Sequence, residues 1–180
     1  MRPAEVATFQ SHRKCWQEIL DRGLEAALII EDDVDIINRE FTAAVKLAMK
    51  EIKMGDLIRF PIKLREKPKN RYVMQENISI FEPTLVGLGM VAQIVTFDAA
   101  RRLLEQTERF DRPVDTYLQL QWEHKVRILT LWPNGVREIS SILGGSLIQG
   151  KSNSDRLRRE LLRPLYRAKL GTYAFINKRK

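Results

Sequence analysis

The amino-acid sequence predicts one α/β domain in which helices flank a β-sheet. Helical patterns alternate with short apolar runs, typical of strands, from residue 3 to residue 131. The chain has 180 residues, which is the length of one ordinary domain. Its hydrophobic fraction of 44% supplies enough apolar material for a sizeable core. These observations exclude a wholly disordered chain and favour a layered α/β fold.

The amino-terminal part is predicted to alternate helix and strand twice. Apolar residues at helical spacing indicate a first helix over 3–22, with a proline in its first turn. The unbroken apolar run at 26–30 predicts a strand buried on both faces of the sheet. Asn38 is expected to cap a second helix that ends at Gly55, and residues 57–60 form the next predicted strand.

After residue 60, the sequence predicts an exposed basic loop at 61–71 and then a hairpin over 72–82. The later predicted elements are a strand at 90–97, a helix capped by Asp98, a short helix opened by 113–115, and a last strand at 126–131. From about residue 144 the composition shifts to Gly, Ser and Asn, which predicts the end of the compact core.

The charge is concentrated at the carboxyl terminus. Residues 151–180 hold 10 basic and 2 acidic residues and account for the whole net charge of +8, whereas residues 1–150 hold 21 of each sign. We therefore expect a neutral domain over 1–145 and a basic tail over 146–180. A fold that binds nucleic acid through a basic core is not expected, because the body carries no excess of positive charge.

Cysteine content and hydropathy restrict the cellular environment. Cys15 is the only cysteine, which excludes a disulfide framework and fits a reducing compartment. No apolar run approaches the ~20 residues that a membrane span needs. The first residues do not resemble a secretion signal. A cytoplasmic protein is the expectation.

An acidic cluster at the end of the strand 26–30 is the strongest local signal for chemistry. Glu31 and Asp33 lie two residues apart and would point to the same side, while Asp32 and Asp35 could turn in from the loop. Carboxylates at this edge of an α/β sheet lie where ligands bind, and oxygen ligands suit Mg²⁺ or Mn²⁺ completed by substrate phosphates. The alternative, which spacing alone favours, is a solvated acidic turn leading into the Asn38 helix.

Three other polar residues are weaker candidates. His12 shares a helical face with apolar residues, so it is more often a hydrogen-bonded core residue than a catalyst. Ser11 has no acid in the sequence that would complete a triad. Asp115 follows Pro113, where an aspartate is usually a helix N-cap; the functional alternative is a general base.

The tail from Asp155 to Lys180 has leucines at helical spacing on one face and arginines on the other, interrupted by Pro164. That pattern suits an anionic membrane surface, to which each basic residue adds about 1 kcal/mol. A solvated helix that packs its leucines on the domain fits the pattern equally well.

Four ordered blocks resemble motifs of glycosyltransferase family 25. Residues 3–16 resemble its "PGEIGC-x-x-SH-x-x-x-W" block, and 28–33 (LIIEDD) are similar to its "ILEDD" motif. Residues 89–104 (GMVAQIVTFDAARRLL) resemble its "G-x-x-x-Y-x-x-S-x-x-A-A-x-x-LL" stretch, and 113–115 resemble its "P-x-D" element. Four blocks in the right order, within residues 3–145, are far more specific than any one of them.

The resemblance implies a GT-A-like fold, that of nucleotide-diphospho-sugar transferases, with a mixed sheet flanked by helices. It also implies inverting transfer of a hexose, typically galactose, from a UDP-sugar to a lipopolysaccharide-type oligosaccharide or glycolipid. Asp33 and Glu31 would hold Mn²⁺ or Mg²⁺, Glu31 and Asp32 would bind the diphosphate-sugar, and Asp115 would be the catalytic base. The further substrate-binding residues implied by the matched block are Glu5, Ser11 and His12.

The sequence also departs from the family pattern. Family members normally begin with a strand and an arginine-rich segment before the first block, whereas Met1 falls almost at the block here. Gln93 and Thr96 stand where the family tends to have Tyr and Ser. Two functions follow from the resemblance and the tail: a transferase at the inner face of the cytoplasmic membrane, or a truncated, catalytically impaired homologue that binds membranes or polyanions through its basic tail.

Overall fold

The computed structural model describes residues 1–75 and 77–139, together with residues 166, 168, 170–172 and 176. The helices are α1 (Pro3–Asp21), α2 (Asn38–Glu51), α3 (Phe97–Gln106), α4 (Val114–Leu118) and α5 (Gln121–His124). The strands are β1 (Ala26–Ile30), β2 (Val34–Ile36), β3 (Asp56–Arg59), β4 (Pro68–Gln75), β5 (Ile78–Pro83), β6 (Ala92–Thr96), β7 (Arg127–Trp132) and β8 (Val136–Glu138). The predicted mixed α/β class is confirmed.

Six strands form the main sheet, in the order β1-β6-β3-β7-β5-β4, and β2 pairs with β8 in a separate two-stranded sheet. β3 and β7 are parallel, and both β1 and β3 are antiparallel to β6. The strands β1, β3 and β7 therefore run in one direction, and their carboxyl ends meet at one edge of the sheet. We call this edge, which follows Ile30, Arg59 and Trp132, the carboxyl edge.

Each face of the sheet carries its own hydrophobic cluster. Helices α1, α3 and α4 pack on the face that presents Leu57, Val95 and Ile128. Helix α2 packs on the opposite face, which presents Ile58 and Ile94. Because successive side chains of a strand alternate between faces, Arg59 and Gln93 point to the same face as Leu57 and Val95. We call this the α1 face.

Helix α1 illustrates how the sequence builds this layer. Its buried residues recur at intervals of three and four, so they form one stripe against the sheet: Phe9, His12, Trp16 and Ile19. Pro3 occupies the first turn, and Gly23, with a φ of +60°, follows the end of the helix. The predicted helix over 3–22 is confirmed to within one residue.

The expectation that 26–30 is buried on both faces is wrong. β1 lies at the end of the strand order and pairs only with β6. Leu28 and Ile30, which face away from α1, are each 39% exposed. An apolar run thus marks the strand correctly but does not distinguish a central strand from one at the sheet margin.

Three predicted local features also differ from the structure. The N-cap of α2 is Ile37 and that of α3 is Thr96, so Asn38 and Asp98 lie inside the first turns instead of capping them. The segment 61–71 is not wholly an exposed loop, because β4 begins at Pro68 and Glu66 is buried. Helices α2 and α3 each begin within two residues of the end of the preceding strand. Both helices therefore start earlier along the chain than the predicted caps imply. The predicted hairpin over 72–82 is present as β4 and β5.

Most of the predicted basic tail, and the expected boundary between 145 and 146, lie outside the described residues. Two tail residues pack on the domain: Leu170 is 2% exposed within the α1-face cluster, and the Tyr166 hydroxyl donates to the carbonyl of Thr116 at 3.2 Å. The packing alternative for the tail therefore holds at these two positions. Within the described ranges, no helix is both long and apolar enough to cross a bilayer.

Candidate active site

Glu31 lies at the carboxyl edge, immediately after β1. Its backbone amide donates to the carbonyl of Val91 at 2.8 Å, which ties the strand end to the segment before β6. Its side chain is 30% exposed, and Oε1 lies 3.4 Å from Nε2 of the buried His12. The helical stripe of α1 thus places His12 over the sheet edge, where it supports one carboxylate of the acidic cluster.

The His12 ring is held on both sides. The amide nitrogen Nε2 of Gln93 lies 3.2 Å from His12 Nδ1, and when it donates there the ring nitrogen Nε2 carries the proton that faces Glu31. Gln93 is fully buried, and its Oε1 has no hydrogen-bond partner in the described part of the chain; the same holds for Trp16 Nε1. An unpaired buried polar atom costs about 1–3 kcal/mol, so the surroundings of His12 are not optimised for stability alone.

The rest of the acidic cluster does not converge on one point. Asp32 is exposed, whereas Asp33 is partly buried, and its backbone carbonyl accepts from Ile139 at 3.1 Å. Asp35 is exposed and accepts from the amide of Ile36 at 2.9 Å. Among the described residues, no three His, Cys, Asp or Glu side chains are grouped so that they could hold a metal ion.

The described part of the chain holds no preformed metal cage, so only the donor type of these carboxylates can be compared with what a divalent cation requires. Mg²⁺ is usually held by one or two carboxylates together with substrate phosphates and water. Glu31 and Asp33 offer only oxygen donors at the open edge of the sheet, which is the donor type that Mg²⁺ and Mn²⁺ prefer. The donor chemistry at this edge therefore fits such an ion.

A buried ion pair lies next to this edge on the same face. Arg59, the last residue of β3, donates from Nη1 to Oε1 of Glu66 at 2.6 Å, and both side chains are 2% exposed. Arg59 is the cross-strand neighbour of both Gln93 and Thr130. Burial lowers the pKa of the Arg59 guanidinium, and the carboxylates of Glu66 and Asp115 oppose that shift.

The ion pair contacts the turn at 87–89. Glu66 Oε1 accepts from the amide of Gly87 at 3.2 Å, and Arg59 Nη2 donates to the carbonyl of Gly89 at 2.6 Å. A Cβ on Gly87 would lie 2.7 Å from Glu66 Oε1, so only glycine fits there without movement. Sequence reasoning missed both Arg59 and Glu66. A single arginine within the apolar strand 57–60 was the available signal, because a buried charge requires a partner.

Asp115 is the second residue of α4 and is not its N-cap, which is Pro113. Its Oδ2 accepts from the amide of Gly89 at 3.1 Å, and its Oδ1 accepts from the amide of Thr116 at 2.7 Å. A carboxylate oxygen can accept more than one hydrogen bond, so both contacts leave capacity for a ligand hydroxyl. Asp115 is therefore a fixed, partly exposed carboxylate on the same side of the sheet as Arg59.

Glu5 and Ser11 are engaged elsewhere on α1. The Glu5 carboxylate accepts from the backbone amide of Arg2 at 2.8 Å and from its side-chain Nε at 3.0 Å. Burial raises the pKa of Glu5, but the hydrogen bonds and charge of Arg2 outweigh it and leave the pKa lowered. Ser11 is exposed and donates to the carbonyl of Ala7 at 3.1 Å. Their roles in substrate binding stay predictions.

Two surface clefts lie away from these residues. One, of about 390 Å³, is bordered by Leu85, Gln119 and Trp122 among others, and a second, of about 270 Å³, lies between α2 and the β4–β5 hairpin. None of the sequence-predicted site residues lines either cleft. The candidate site lies at the carboxyl edge, where the structure brings Glu31 and His12 together.

Residues 1–118 match the family model described as "Glycosyltransferase family 25 (LPS biosynthesis protein)". A curated bovine (Bos taurus) protein named "Probable inactive glycosyltransferase 25 family member 3" is 29% identical over 147 residues. This alignment covers 76% of the present chain and 24% of the bovine protein, so the chain spans about a quarter of the length of that relative. The family match includes Glu31, Asp33 and Asp115.

Proposed function

Because this chain belongs to glycosyltransferase family 25, we propose that it transfers a hexose from a UDP-sugar to an oligosaccharide acceptor. Galactose is the proposed sugar, and a lipopolysaccharide-type glycolipid at the cytoplasmic membrane face is the proposed acceptor. The observation that carries the proposal is the Glu31 carboxylate, presented at the carboxyl edge by buried His12 within the family-matched segment. Ligands of α/β sheets bind at such edges. A GT-A arrangement is part of the proposal, supported by the mixed sheet with helices on both faces.

Glu31 and Asp33 would hold Mn²⁺ or Mg²⁺, and Asp32 would lie beside the diphosphate-sugar. The ion, when bound, would offset the negative charge that gathers on the departing UDP. His12 would keep Glu31 oriented through the contact between Nε2 and Oε1, whose atoms lie 3.4 Å apart. Gln93 would in turn fix the ring, because its amide nitrogen lies 3.2 Å from His12 Nδ1.

Asp115 would act as the general base of an inverting, in-line displacement. Its carboxylate would take the proton of the acceptor hydroxyl while the hydroxyl oxygen forms a bond to the anomeric carbon. The bond from that carbon to the UDP oxygen breaks, and UDP leaves with the electron pair. The backbone amides of Gly89 and Thr116 hold the carboxylate in place for this step.

The test is turnover of UDP-galactose with Mn²⁺ in the wild-type protein and in two aspartate variants. Asp33→Ala is expected to lower turnover by about 100-fold or more, because a ligand of the charge-stabilising ion is lost. Asp21→Ala is the matched control, since Asp21 is an exposed carboxylate at the last residue of α1, away from the carboxyl edge, and accepts a hydrogen bond from the Gln17 side chain at 2.8 Å. A turnover rate that changes neither on addition of a chelator nor in Asp33→Ala would contradict the role of the acidic cluster.

A second candidate is an impaired homologue that binds anionic membranes or other polyanions through its tail. It is favoured by the +8 charge of residues 151–180 and by the name of the bovine relative, which calls that protein probably inactive. This candidate predicts salt-sensitive binding to phosphatidylserine vesicles that Arg158→Gln with Arg159→Gln weakens and Arg22→Gln, at the C-cap of α1, does not. It also predicts that UDP with Mn²⁺ leaves the melting temperature unchanged. A nucleotide-induced rise in melting temperature would argue for the transferase instead.

A further inference from the structure

The buried pair Arg59–Glu66 is not explained by stability. Each partner has a 2% exposed side chain, and removing two charges from water costs about as much as their attraction returns. An apolar pair of similar volume would fill the same space without that cost. The pair therefore points to a task that needs its hydrogen-bonding groups.

Those groups form hydrogen bonds to the backbone of one short turn, 87–89. Glu66 accepts from the amide of Gly87, and Arg59 donates to the carbonyl of Gly89 at 2.6 Å, so the ion pair holds the turn at both ends. Gly87 leaves room for the Glu66 carboxylate, and Gly89 adopts a φ of +91°, which favours glycine. The arginine fork suits this task because it donates in two fixed directions.

Gly89 passes the constraint to Asp115. While its carbonyl accepts from Arg59, its own amide donates to Asp115 Oδ2 at 3.1 Å. The orientation of Gly89 thus depends on the ion pair, through its carbonyl, and determines the contact with the Asp115 carboxylate, through its amide. Among the described residues, the other backbone amide that donates to Asp115 is that of Thr116.

We propose that Arg59 and Glu66 are positioning residues for Asp115. The pair fixes the turn 87–89, the turn fixes the Gly89 amide, and the amide orients the carboxylate towards the acceptor hydroxyl. The inference rests on the proposed function for its kinetic consequence, because Asp115 is the proposed base. The positioning itself is a property of the folded chain and can be measured without turnover.

The structural readout is hydrogen exchange at the Gly89 amide, followed by NMR. Glu66→Gln keeps the size of the side chain and removes its charge, and Arg59→Lys removes the second donor arm. Both are expected to speed exchange of the Gly89 amide by about tenfold or more relative to the wild type. The matched control is Asp56→Asn, which weakens the Asp56–Arg127 pair at the other end of β3 and is expected to leave Gly89 exchange within about twofold.

The kinetic readout separates positioning from binding. Glu66→Gln is expected to lower kcat by about tenfold while KM for UDP-galactose changes less than about twofold. The double variant Arg59→Met with Glu66→Leu removes both charges together and is expected to unfold no more easily than the wild type yet to keep the low kcat. Recovery of kcat in this double variant would overturn the proposal, since the pair would then matter only for stability.

The two proposals can fail separately. Unchanged Gly89 exchange in both single variants overturns the positioning inference whatever the kinetics show. If the Gly89 amide exchanges faster in the Arg59 and Glu66 variants but Asp115→Asn keeps the wild-type kcat, the positioning of Asp115 is supported and its role as the base is removed. If Asp115→Asn lowers kcat and Glu66→Gln does not, the base stands and the positioning inference is overturned.

Discussion

His124 is a buried histidine that the fold holds neutral. Its Nε2 lies 3.1 Å from the carbonyl of Leu118 and donates to it, and its Nδ1 accepts from the amide of Val126 at 3.0 Å. The side chain is inside the protein at 1% exposure, and burial lowers the pKa of His124 from 6.5 to about 4. The neutral ring with one donor and one acceptor matches both partners, so a second proton has no place.

Stability should therefore depend on the protonation of His124. Between pH 6.5 and about 4 the unfolded chain binds a proton that the folded chain does not. The contribution of the buried neutral His124 to the free energy of unfolding is fully present above pH 6.5. As the pH falls towards 4, the free energy of unfolding decreases by about 3 kcal/mol in total. Urea unfolding of wild type and His124→Gln at pH 7.5 and pH 4.5 tests this. The gap between the two proteins should narrow at the lower pH, and a constant gap would contradict the assignment.

At the level of single residues, sequence reasoning located the polar groups better than it located their partners. The helical spacing placed His12 on the buried stripe, and the strand end placed Glu31 at the rim. Gln93, which completes the His12 contact, follows from neither pattern, because it depends on the pairing of β1 with β6. Glu66 lay in a segment read as exposed, and only the fold brings it to Arg59. Partners that meet across strands are beyond a reading along the chain.

Helix α2 begins against the turn that joins β7 to β8. The amide of Ile37 donates to the carbonyl of Gly135 at 2.8 Å, and Gly135 adopts a φ of +72°. A Cβ built there would lie 2.6 Å from the backbone nitrogen of Phe41, which cannot move without shifting the helix. This close approach fixes where α2 sits relative to the two-stranded sheet.

Two glycine substitutions separate backbone strain from steric conflict. Gly23→Ala, at a φ of +60° with nothing within 4 Å, should lower the free energy of unfolding by about 1 kcal/mol through backbone strain alone. Gly135→Ala adds the clash with α2 and should lower it by about 3 kcal/mol or more. Chemical denaturation of both variants measures the difference. If both variants lose the same free energy of unfolding, helix α2 moves away from the added methyl group without an energetic cost.

The elements themselves were largely predictable, whereas their ends and positions in the sheet were not. Apolar spacing identified α1, and short apolar runs identified β1, β3, β6 and β7. Thr96 is an example of a shifted end: it is the last residue of β6 and also the N-cap of α3, so the helix begins one residue before Asp98. Its hydroxyl donates to the carbonyl of Asp56 at 2.9 Å and does not cap the helix. Strand order depends on contacts between distant segments, and so β1 was not recognised as a marginal strand.

The whole molecule draws part of its core from the chain beyond the family-matched region. Leu170 lies in the same cluster as Phe9, Val95 and Leu118, and Tyr166 contacts α4. The amphipathic spacing of the tail predicted leucines that pack on the domain as one of two alternatives. The choice could not be made from the sequence, because an apolar face suits a protein core and a membrane surface equally.

Removing the Leu170 side chain should therefore destabilise the entire domain. Leu170→Ala is expected to lower the free energy of unfolding by about 2–4 kcal/mol, which is typical of a buried leucine. Ile176→Ala is the control, because Ile176 is 56% exposed and should cost less than about 0.5 kcal/mol. Global unfolding followed by tryptophan fluorescence measures both. A Leu170→Ala protein as stable as the wild type would show that the Leu170 side chain contributes nothing to the stability of the core.

The strand order has a consequence for the size of any ligand that spans the carboxyl edge. One antiparallel strand, β6, separates β1 from β3, and neighbouring strands lie about 4.8 Å apart, so the carboxyl ends of β1 and β3 are roughly 10 Å from each other. A cation sits only about 2–2.6 Å from the oxygens that bind it. A ligand that contacts the ends of both strands would therefore have to be longer than a single bound ion.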